Sequence, residues 1–146
     1  MSSFTNTIKS EKLPKGKRIL LESFDYHVGS EDSKEIITVK KDFISDGATI
    51  PRILWPIIGH PWDEYEQAAW LHDWICSWLR HLYNRKEGEL IMCEASGVLG
   101  VSFIKRKTMY AGLRTFGWYC WNKGAANAEK NSILAQEASP AGNENA

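Results

Sequence analysis

The spacing of hydrophobic and polar positions changes along the chain, and each change marks an element. Residues 1–17 are polar and punctuated by Pro14 and Gly16, the pattern of a flexible N-terminal arm. From Arg18, "RILLESFDYHV" is rich in strand formers, "GSEDSK" is a turn cluster and "EIITVKKDFI" alternates, which together predict an antiparallel hairpin. "SDGATIPR" then interrupts regular structure, because Asp46-Gly47 favours a tight turn and Ile50 before Pro51 favours extended backbone. "GHPWD" is a second irregular piece. Three helices follow. The first runs from about Asp63 to Tyr83 behind a capping box of Asp63 and Glu66, and the second from Asn84, where Glu87 repeats that signature, to about Gly100. The third runs from about Phe103 to Asn122, with a basic opening, Lys105-Arg106-Lys107, that suits the helix dipole poorly. The predicted fold class is α+β: an N-terminal β-hairpin or small antiparallel sheet packed on about three helices, forming a single globular domain over 18–122. The tail, 123–146, is small and polar, the composition of a disordered segment.

At ~100° per residue, the first helix carries His72 on the side of Tyr65, Ala68, Ala69, Cys76, Leu79 and Tyr83, with Asp73 at its margin. Trp70, Trp74 and Trp78 take the opposite side with Gln67, Ser77 and His81. On the second helix Glu89, Cys93, Ser96, Gly97 and Gly100 share a stripe whose residues after Glu89 are all small, and small stripes allow close helix approach. If the two stripes meet, Glu89 comes within hydrogen-bonding reach of His72. A carboxylate on one imidazole nitrogen fixes the tautomer and raises the basicity of the other, which makes a general base. Asp73 then points toward the preceding loop, where it and the carbonyls of the Asp46-Gly47-Ala48 turn are suitable oxygen ligands for calcium.

Composition narrows the classes. At 146 residues, the chain is long enough for one sizeable core. With 18 basic and 18 acidic residues it has no broad positive field for general nucleic-acid binding. No stretch has the apolar length of a transmembrane segment and the start lacks the pattern of a signal peptide, so the chain is expected to be cytosolic where it is made. Cys76, Cys93 and Cys120 are an odd set without CxxC spacing and read as reduced core residues. Five of the seven tryptophans (Trp55, Trp62, Trp70, Trp74, Trp78) lie in one central segment, where the stripe reads as core under a second layer, with membrane or partner contact as the alternative. The polar residues have a structural reading too: His72 as a bonded core histidine, Asp73 paired with Arg80 or accepting from Ser77, Asp46-Gly47 as a plain turn, Glu89 as a carboxylate favoured by the helix dipole and His60 as a loop residue.

The segments "FISDGATIPRILWPIIGHP", "EYEQAAWLHDWI", "RKEGELIMCEA" and "KRKTMYAGLRTFGW" resemble a family of small, functionally unassigned proteins of tailed bacteriophages and prophages, over about residues 39–118. The resemblance implies phage or prophage origin and no established activity. Two positions depart from its pattern: Cys76 stands where a tyrosine is usual, and Glu89 where the second helix usually offers an aspartate. A looser similarity links A-A-x-x-H-D to the calcium-dependent secretory phospholipase A group and its viral-capsid versions. It implies His72 as base, Asp73 as calcium ligand, Glu89 as orienting carboxylate and Gly47 in a calcium loop, although the glycine-rich loop and the disulfides of those enzymes are absent.

Two functions of different class follow. One is a metal-assisted hydrolase of an ester or phosphoester, acting through His72, Asp73 and Glu89 with Asp46 as a further ligand and a lipid or ester as substrate. The other is a non-catalytic phage module, a virion component or a binder of a phage structural or host protein, in which the same polar residues form an internal network. An HD-type phosphohydrolase would need a second convincing histidine, and no Cys-His or zinc-peptidase spacing supports peptidoglycan cleavage.

Overall fold

The computed structural model describes residues 3–45, 52–60 and 64–125. Its α+β architecture has two small antiparallel sheets at the N-terminal end and five helices after them. The strands are β1 (Ser3–Phe4), β2 (Ser10–Lys12), β3 (Arg18–Leu20), β4 (Phe24–His27), β5 (Ile36–Val39) and β6 (Ile44–Ser45). One sheet has the order β1-β4-β5 and the other β2-β3-β6.

The predicted hairpin is β4–β5, with Phe24 opposite Val39 and Tyr26 opposite Ile37. All four of these side chains are buried, and alternation turns Asp25 and Thr38 outward to share a hydrogen bond of 2.6 Å. "RILLESFDYHV" does not form one strand: β3 pairs with β2 and β6, whereas β4 crosses to the other sheet. The segment expected as a flexible arm supplies β1 and β2, and two contacts explain its placement. The Phe4 ring lies 4.7 Å from that of Tyr26, and the Gln67 amide donates to the Asn6 carbonyl at 2.8 Å.

The helices are α1 (Trp55–Ile58), α2 (Glu66–Trp78), α3 (Arg85–Val98), α4 (Phe103–Phe116) and α5, residues 118–125. Asp63, the expected cap of the first long helix, lies outside the described residues; the N-cap position is Tyr65, without a side-chain cap. That helix stops at Trp78, and the Leu79 carbonyl takes the amides of Leu82 and Tyr83 in a turn. The Asn84–Glu87 capping box forms as the sequence predicts. At its far end α3 closes in a Schellman arrangement: Gly100 at φ 92° places the Val101 amide on the Ser96 carbonyl and its own amide on Gly97. The third predicted helix is broken at Gly117, and α5 turns back toward α2.

Buried nearly all round, α2 is the spine of the domain. Phe43 meets Trp70 and Trp74 edge to face, so two members of the tryptophan stripe are core under the β2-β3-β6 side, while Trp78 stacks on Trp74 at the surface. The β1-β4-β5 sheet reaches α3 through Tyr26, whose hydroxyl donates to Glu94 at 2.6 Å, and through the Gly29 amide on the same carboxylate oxygen. Among the described residues, no helix is long and apolar enough to cross a membrane.

Candidate functional site

His72 sits midway along α2 and is 2% exposed. Gly88 of α3 lies against it, where an added Cβ would stand 3.8 Å from the imidazole Cδ2 and 3.3 Å from Ile75. The approach is tight against Ile75 and an ordinary van der Waals contact against the ring. One turn further along α2, the Cys76 sulfur lies 3.9 Å from His72 Nδ1 and 3.8 Å from Nε2. Cys120 arrives from α5, its sulfur 3.9 Å from that of Cys76. One donor atom from each of the three residues falls within 4.8 Å of the other two.

α5 comes this close because of Gly124. A Cβ there would overlap the Cys76 carbonyl oxygen and stand 2.9 Å from the Cys76 Cβ, inside van der Waals contact. Arg80 secures the same junction from the surface: its guanidinium lies over the Trp121 ring, 4.0 Å from the centroid, and donates to the Trp121 carbonyl.

Asp73 is partly exposed by area, yet its carboxyl is closely surrounded by protein, and it bonds the Ser45 hydroxyl at the end of β6. Burial, and secondarily the Cys120 sulfur, push its pKa up to about 7, against the opposing effects of Ser45 and His72. The pairing anticipated with Arg80 gives way to Ser45, since Arg80 is engaged with Trp121. The Cys76 thiol is also pushed up, first by its bond with Cys120 and then by burial, so in the metal-free protein it is held protonated.

Glu89 does not orient His72. Its carboxylate is wholly buried, accepts from Arg114 Nη1 at 2.6 Å, and has Arg85 Nε at 3.6 Å. Its second oxygen makes no hydrogen bond. Register is the reason: Gly88 is the α3 residue against the imidazole, and the next position is rotated by ~100° toward α4, where Arg114 meets it. Asp46 and Gly47, expected at a calcium loop, lie outside the described residues. His72 has Cys120 and Glu89 has Arg114 as partners that the residue pattern does not signal. The i, i+4 spacing of His72 and Cys76 was an available signal for the first half of the cluster, because it puts both side chains on one helix face.

Chemically, the cluster offers one imidazole nitrogen and two sulfurs, a soft donor set, whereas calcium takes six to eight oxygens. The described residues around His72 do not present such a shell.

Comparison with known proteins returns a family model described as "Protein of unknown function (DUF1353)", which matches residues 19–113. The uncharacterized protein y4iH of Sinorhizobium fredii (strain NBRC 101917 / NGR234) is 35% identical over 78 residues, 53% of this chain and 32% of that protein. The chain thus spans about a third of the relative it matches. No solved structure matches.

Proposed function

The chain belongs to the DUF1353 family of proteins of unknown function, and we propose that it is a non-catalytic module that binds a phage structural or host protein, the site geometry supporting the non-catalytic reading and the sequence resemblance the phage or prophage origin. The observation carrying this reading is the state of the two residues a hydrolase would need most. A general base must reach the proton it removes directly or through one water. His72 is enclosed by α2, α3 and α5, and the carboxylate proposed to activate it is held by two guanidiniums. Exposed apolar side chains available to a protein partner lie at both ends of α4, Phe103 and Ile104 at its start and Phe116, Trp118 and Tyr119 at its end and in α5.

The competing reading is calcium-assisted hydrolysis of an ester or phosphoester by His72, Asp73 and Glu89. A direct test compares the native sequence with His72→Ala on chromogenic esters, phosphodiesters and phospholipid vesicles, with calcium and with EDTA. The module reading expects equal, background turnover in every arm and no calcium-dependent shift in melting temperature. Calcium-dependent turnover that disappears in a folded His72→Ala protein would overturn it.

A further inference from the structure

We propose that His72, Cys76 and Cys120 bind a zinc-class divalent ion that fastens α5 onto α2. The distances carry the assignment. A tetrahedral zinc with sulfur at ~2.3 Å and nitrogen at ~2.0 Å has donor edges of about 3.8 Å between sulfurs and about 3.5 Å between sulfur and nitrogen. The two sulfurs are 3.9 Å apart and the nearer imidazole nitrogen is 3.8 Å from Cys76, within a few tenths of an ångström of those two edges, and the third edge, from His72 to Cys120, lies within 4.8 Å and closes on metal binding.

Donor chemistry selects the ion. Two thiols and an imidazole are soft to borderline ligands that suit zinc and reject calcium and magnesium. Binding converts two thiols to thiolates and releases two protons, and the two negative sulfurs neutralise the dication, so a buried centre carries no net charge from its metal and sulfurs. The fourth position falls to water, since no carboxylate of the described residues joins the three donors.

The arrangement also explains a packing choice. Gly117 breaks the α4 direction and Gly124 lets α5 lie on the Cys76 backbone, and together they deliver Cys120 to the site. This inference does not rest on the domain being non-catalytic, because the hydrolysis assay can fail or succeed without changing the ligand set.

The test uses the full chain, reduced, stripped with EDTA and titrated anaerobically with cobalt(II). One equivalent is expected to give the intense visible bands of a tetrahedral site with near-ultraviolet thiolate-to-cobalt charge transfer, and zinc is expected to displace it. Cys120→Ser and Cys76→Ser should each weaken zinc by at least about a hundredfold, the upper end of the loss from removing an outer-shell partner. Cys93→Ser, which alters the remaining cysteine, should match the parent. Because Cys76 is fully buried, Cys120→Ser and His72→Gln keep the test decisive if Cys76→Ser misfolds. Zinc should also slow amide exchange over residues 118–125. A weak six-coordinate cobalt spectrum, full affinity in folded Cys120→Ser, or isolation of a Cys76–Cys120 disulfide whose reduced form takes no cobalt would each overturn the proposal.

Discussion

Glu89 illustrates how one buried charge dictates its surroundings. A carboxylate with no exposed surface must be paired, and Arg114 supplies the close contact with Arg85 one turn away on the same helix. Removing the closer partner leaves the charge short of compensation, so Arg114→Ala is expected to destabilise the domain by about 2–4 kcal/mol. Glu89→Gln, which keeps the shape and removes the charge, should cost less than half as much, and combining the two should recover part of the Arg114→Ala loss. Urea unfolding of the three variants checks this; equal losses for both single changes and simple addition in the double would show that the pair is not coupled. This pairing was hard to read in the sequence, since Glu89 and Arg114 are 25 residues apart and nothing local links them. The sequence showed a helix stripe containing Glu89, but the rotation that turns it to α4 depends on how α2, α3 and α4 pack.

At the scale of elements, local chemistry was legible and boundaries set by tertiary contacts were not. The Asn84–Glu87 box and the β4–β5 hairpin arise from neighbours in sequence, and both appear as their residue patterns predict. By contrast, β1 and β2 come from a polar segment with little strand signal, held by backbone pairing to β4 and β3 and by the contact of Phe4 with Tyr26. The break at Gly117 also escapes periodicity, because an extended helix would suit "YAGLRTFGWYCW" equally well. A Cβ at Gly117 would overlap the Leu113 carbonyl oxygen and meet Glu89 Oε2 at 2.7 Å, so this position accepts no side chain. Gly124 is the sharper case: the atoms it would strike, the Cys76 carbonyl and Cβ, belong to a different helix, α2, and are fixed by its backbone. Gly124→Ala should therefore lift α5 from α2, costing about 1–3 kcal/mol as overpacking does elsewhere. Faster amide exchange over 118–125 with α3 unchanged is the expected result, and unaltered exchange there would show that the helix is not seated through this position.

Across the whole molecule, Asp73 ties stability to pH. Its native pKa of about 7 exceeds the ordinary 3.8, so the folded state holds the proton more tightly than the unfolded chain does. The associated stability is fully present below about pH 4, is lost as pH rises toward 7, and changes little above that. In metal-free, reduced protein the melting temperature should consequently fall between pH 5 and pH 7.5, and Asp73→Asn should flatten that part of the profile. An identical slope in the variant would assign the effect to other groups. The α+β class and the central His-Asp helix were visible in the residue pattern, whereas the cluster around His72 needed a third helix that only the folded chain brings into place. The stretch matched by the family model ends at residue 113, so it includes His72 and Cys76 and stops short of Cys120. One nitrogen and one sulfur of the donor set thus lie within the matched stretch, and the second sulfur lies beyond it. Loss of Cys120 alone would discard the proposed metal dependence, whereas its gain also needs a cysteine at position 76, where the family resemblance expects a tyrosine.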